Sequence, residues 1–73
     1  MSGTRGGAKL RDWLAREQRS QRWLAEQVGV HQGSVSAWII GKFPPPLAAA
    51  VRVEDVTGIP VAYWTQPARS KPS

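Results

Sequence analysis

A glycine set between two short apolar patterns limits what this chain can fold into more than any other feature. In residues 21–40, QRWLAEQVGVHQGSVSAWII, eight residues ending at Val28 favour helix and put Leu24, Ala25 and Val28 on one face. Gly29 and Val30 follow, and a second short helix from about Gln32 gathers Val35, Trp38 and Ile39 on its own apolar face. Ala25 is small, as two steeply crossing helices require where their backbones approach. Gly29 stands where the first helix must stop in a left-handed conformation, which costs glycine little. Leu24, Val28, Val30, Val35 and Trp38 then join the two helices into one body. This is a helix-turn-helix unit, whose second helix fits a DNA groove. A plain helical pair also turns on a glycine. The joint pattern is rarer: Leu24-Ala25, then Val28-Gly29-Val30, a polar opening, and Val35 six residues after Gly29. It favours the DNA-binding unit.

Length and composition narrow the rest. Seventy-three residues make one small domain. A core of that size supplies only about 3–5 kcal/mol, so compact helical packing or dimerisation has to help. Without cysteine there is no disulfide, thiolate nucleophile or cysteine-based zinc site. One histidine and five acids (Asp12, Glu17, Glu26, Glu54, Asp55) show neither metal-ligand nor acid–base spacing. No catalytic residue, metal, cofactor or small-molecule ligand is expected. No apolar run approaches the ~20 residues of a membrane span, and the N-terminus lacks a signal-peptide core, so the expectation is a cytoplasmic protein without a membrane partner. Ten Lys and Arg against five acids leave a net charge of +5. Arg5, Lys9, Arg11, Arg16, Arg19, Arg22 and Lys42 fall in the first 42 residues beside three acids. Such a surface attracts phosphate, although a basic face also serves solubility.

Residues 1–7, MSGTRGG, hold three glycines and nothing apolar after Met1, which predicts a disordered arm. Leu10, Trp13 and Leu14 mark a first amphipathic helix from Ala8 to Glu17, and Ser20 is a good N-cap for the next. Gly41 reads as the stop of the third helix. Phe43-Pro44-Pro45-Pro46 forms a stiff connector to a fourth helix over about 46–57. There Leu47, Ala50, Val51 and one or both of Val53 and Val56 are expected inside, with Gly58 as the stop. Pro60 opens a short fifth helix, 61–65, carrying Tyr63 and Trp64. The expectation is an all-α domain of five short helices over residues 8–65, with a disordered tail at 66–73.

Residues 10–64 resemble the lambda-repressor/Cro helix-turn-helix family, and within it the small Cro-like and YdaS-like phage and prophage regulators. The resemblance is carried by SQRWLAEQVGVHQGSVSAWIIGK, the proline-marked connector and the closing VEDVTGIPVAYW. It implies a five-helix, usually dimeric, sequence-specific repressor. Three positions depart from the pattern. His31 stands where the family usually has a Ser or Thr cap, Gly33 takes a slot often held by a polar contacting residue, and Trp23 fills one normally polar and exposed.

In the recognition helix 32–40, Gln32 is the leading base contact, because an amide donates and accepts together and so pairs bidentately with adenine. In the resembled family a Gln at this slot often does this. Ser36 and Ala37 are expected about one turn on, Ala37 toward a thymine methyl. Ser34 and Gly33 are expected at the phosphate backbone. Gln21 matches a family phosphate contact at a helix N-terminus. Arg22 and Lys42 are candidate phosphate cations, with Arg19 a weaker one. His31 either caps, contacts phosphate or faces water. Trp13, Trp38 and Trp64 are expected in the core, while Trp23 either marks a partner surface or packs on Trp13.

Two functions remain open on the sequence. One is a Cro-like repressor that binds duplex DNA at a palindromic operator as a homodimer. Its dimer contact is expected at Pro60, Val61 and Tyr63, where one short helix carries more apolar surface than it can bury at home. The alternative is a protein-binding antitoxin or inhibitor of phage or prophage origin, with DNA binding secondary. Gln32, Ser34 and Ser36 favour the first.

Overall fold

Helix α1 (Arg5–Glu17), α2 (Gln21–Val28), α3 (Gln32–Ile40) and α4 (Leu47–Thr57) follow one another, and a 3₁₀ helix (Val61–Thr65) closes the chain. The computed structural model describes residues 4–65. The all-α architecture and the order of five helical elements are as the sequence predicts, except that the last is a 3₁₀ rather than an α turn.

The first helix begins three residues earlier than expected, and Arg5, Gly6 and Gly7 belong to it. Thr4 starts it: its Oγ1 accepts the Gly7 backbone N–H at 3.0 Å. The glycines that suggested disorder are buried. A Cβ on Gly6 would lie 2.5 Å from the Trp64 indole, and one on Gly7 would lie 2.6 Å from the Trp38 carbonyl oxygen. Glycine is used here for close approach, so that the start of α1 rests directly on the 3₁₀ helix and on the end of α3. Of the expected arm, residues 1–3 lie outside the described residues, as does the expected disordered tail at 66–73.

The turns follow local chemistry. Ser20 Oγ accepts the Trp23 N–H at 2.9 Å and opens α2. Gly29 closes α2 at φ 86°, with the Val30 N–H returning to the Ala25 carbonyl at 3.0 Å. Gly41 and Gly58 end α3 and α4 in the same left-handed region. Helix α1 stops differently: Gln18 adopts φ 57°, and the Arg19 N–H reaches back to the Leu14 carbonyl at 2.9 Å.

Helix α3 is packed by both α1 and α2, while α4 lies against α2 and the 3₁₀ helix. Leu10, Leu24, Val35, Trp38 and Val53 are the largest fully buried side chains. Trp38 meets Trp64 edge-to-face at 6.3 Å, a favoured geometry for large rings. Both indole N–H groups are buried without a hydrogen-bond partner among the described residues. On α4 the buried residues are Ala49, Ala50 and Val53. Leu47 and Val51, expected inside, are exposed. Two apolar stripes share Ala50 on this helix, and contact with α2 and the 3₁₀ helix selects the one whose small Ala49 permits close packing.

Candidate nucleic-acid interface

Because α1 and α2 cover two sides of α3, only one strip of that helix faces out. Val35, Ala37 and Trp38 are buried, and Ile39 is half-buried. Gln32 and Gly33 are exposed and Ser36 is half-buried. Gln32, Ser36 and Ile40 follow at four-residue steps and therefore make one ridge. Ala37, expected on the exposed face with Ser36, is instead buried at 7% exposure. Ile40, 60% exposed, completes the outward ridge.

His31 occupies the N-cap position of α3 but its side chain makes no capping bond. Of the three roles open to His31, capping is not observed. Its carbonyl accepts the Ser34 N–H at 3.0 Å, which shapes the first turn. An uncapped helix start presents free N–H groups and the positive end of the helix dipole. The exposed pair His31 and Gln32 flanks that end, and Gly33 beside them has open space where a Cβ would be.

The residues expected at phosphates differ in exposure. Gln21 is half-buried in the first turn of α2, and Ser34 is half-buried on α3. Arg22 is exposed and pairs with Glu26 at 3.7 Å across one helical turn. Exposed pairs of this kind contribute about 0–1 kcal/mol, so this one yields easily to a phosphate. Lys42 is exposed just past α3, anchored by its own N–H to the Ala37 carbonyl at 2.9 Å.

Trp23 stacks on Trp13 at 6.1 Å with the rings 21° apart, and the Arg19 guanidinium lies 4.6 Å from the Trp23 ring centre. Of the two roles open to Trp23, packing on Trp13 is the one observed. At the C-terminal end, Ile59 and Trp64 are buried, while Pro60, Val61 and Tyr63 are half-buried. Val61 and Tyr63 pack on the core, and Arg5 covers the Tyr63 ring at 4.2 Å. The apolar surplus that pointed to a dimer contact there is thus largely buried by the chain itself.

Among the described residues no three His, Asp or Glu side chains come together as a metal site, and no helix is long and apolar enough to cross a membrane. The outward ridge of α3, with Gln32 and Ser36 at its start and Ile40 at its end, is carried on a two-helix unit whose helices α2 and α3 pack together. The family model for helix-turn-helix proteins of the lambda-repressor/Cro type matches residues 10–64, and the chain belongs to that family of DNA-binding transcriptional regulators. No curated protein and no solved structure matches the chain.

Proposed function

We propose that the chain is a Cro-like repressor that binds a palindromic operator as a homodimer, with α3 in the major groove. The observation that carries this reading is the outward strip of α3. Its first turn is uncapped and exposes Gln32 and Gly33, with Ser36 one turn further along. Gln32 reads a base, and Ser36 bonds a base or a phosphate. Gln21, Arg22, His31, Gly33, Ser34 and Lys42 fix the helix against the backbone. One recognition helix covers too few base pairs to choose a site from a genome, so a two-fold partner reads a second half-site about 34 Å away. Work of this kind is done in the cytoplasm of a bacterial host. The antitoxin or inhibitor alternative loses one support, because Trp23 is engaged with Trp13.

The test begins with selection of bound duplexes from a random pool. On the selected site, Gln32→Ala is expected to cost about 1–3 kcal/mol, mostly as lost discrimination at one base pair per half-site. Lys42→Ala should instead weaken selected and random duplexes alike. Equal losses on both kinds of DNA in the Gln32 variant would show that another residue reads the base. A pool that yields no enriched sequence would remove the operator.

A further inference from the structure

One face of α1 and the turn that follows α4 enclose a cleft. Lys9, Asp12, Trp13 and Arg16 stand at i, i+3, i+4 and i+7 on that face, and residues 57–60 with Tyr63 form the facing wall. The space is about 280 Å³, near the lower end of the roughly 300–1,000 Å³ typical of small-molecule sites. No residue of α2 or α3 lines it. Trp13 and Tyr63 are half-buried, and each is held from outside the cleft. Trp23, which does not line the cleft, stacks on Trp13 at 6.1 Å. Arg5, which does not line it either, lies 4.2 Å from the centre of the Tyr63 ring. The two rings therefore keep their places without a ligand, and binding one costs little in ordering them. The charged side chains of the cleft are all exposed. Lys9 ion-pairs with none of the described residues, and Arg16 has only a weak exposed pair, with Glu17 at 3.9 Å.

We propose that this cleft binds a small planar aromatic acid, its ring against Trp13 and Tyr63 and its carboxylate within reach of Lys9 and Arg16. Aromatic walls select a flat apolar body, which they meet by offset or edge contact. Two cations against one acid select an anionic group, and the planar guanidinium of Arg16 takes a carboxylate through two parallel hydrogen bonds. Asp12, with the Arg11 Nε 3.7 Å away, accepts from a ring N–H, so an indole fits better than a bare benzene ring. The volume suits one or two fused rings. A DNA phosphate would satisfy the cations but leave the aromatic walls without a partner. Gln32 and the other residues assigned above to base or phosphate contact all lie outside the cleft, so the proposal stands apart from the repressor reading.

The test is a titration of the full chain, without DNA, with indoleacetate, followed through the indole N–H proton resonances of the four tryptophans. The Trp13 signal should move and saturate at about a millimolar or below, while those of the buried Trp38 and Trp64 stay in place. Tryptamine, with the same ring and the opposite charge, and acetate, with no ring, should each bind at least about tenfold more weakly. Lys9→Glu and Arg16→Glu alter exposed side chains and should keep the thermal midpoint while weakening binding about tenfold each. Arg52→Glu makes the same change in net charge at an exposed position outside the cleft and should stay within about twofold of the wild type. The proposal is overturned if indoleacetate leaves Trp13 unmoved, or if tryptamine or acetate binds as well. It is equally overturned if binding survives both cleft variants, or if Arg52→Glu weakens it as much as they do. Displacement of indoleacetate by duplex DNA would assign the cleft to the phosphate backbone and overturn it too.

Discussion

Gly33 has no reason within the folded chain to be glycine. A Cβ there meets nothing within 4 Å, and the position lies in the first turn of a regular helix. Glycine in such a place gives up about 0.5–1 kcal/mol relative to alanine. Gly33→Ala should therefore raise stability to urea by up to about that amount. If the open space admits the DNA backbone, the same variant should bind its operator less well. A variant that is more stable and binds equally well would show that Gly33 does not mark a close approach. Ala37 carries a different lesson. It neighbours Ser36 in sequence, but one residue of helical rotation separates a half-open position from a buried one. Sequence places residues on a helix; the neighbouring helices decide where its open strip ends.

Among the elements, α1 departs most from its sequence reading. Gly6 and Gly7 look like loop residues because they weaken a helix by propensity. In the folded chain they are contact points, and the Thr4 cap offsets part of that cost. Gly7→Ala would press a Cβ against the Trp38 carbonyl, where backbone cannot step aside, and should destabilise by about 1–3 kcal/mol. Gly6→Ala should act likewise against the buried Trp64 ring, and Thr4→Ala should cost about 1 kcal/mol. Thermal midpoints decide the matter, since a disordered arm would leave all three variants unchanged. Helices α2 and α3 were legible because Ser20, Gly29 and Gly41 set their ends by local chemistry. The inward face of α4 was not, because two stripes through Ala50 satisfy the same periodicity.

For the whole molecule, charge is the governing quantity. The ion pairs Arg11–Asp12, Arg16–Glu17 and Arg22–Glu26 all lie between exposed side chains and hold their arginines only weakly. Those cations remain available to phosphate. If a dimer neutralises about four to six phosphates, log K for duplex DNA should fall against log salt by about 0.9 per phosphate. Titrations at several salt concentrations measure this slope, and a flat response would be incompatible with a phosphate-anchored complex. The slope also bears on assembly, because a chain bound as a monomer should show about half of it.

Reading the residues in order determined the helical class, the turn at Gly29, the cap at Ser20 and the placing of Gln32 at the head of α3. Each of these depends on chemistry within a few residues, which the order of side chains contains. Contact between distant segments decided the rest. Trp64 and the Trp38 carbonyl turned Gly6 and Gly7 from an arm into a packed helix start. Packing on both sides of α3 closed over Ala37 and left Ile40 open, and α4 settled with Leu47 and Val51 outward. Burial is a property of pairs of elements, and periodicity along one element cannot supply its partner.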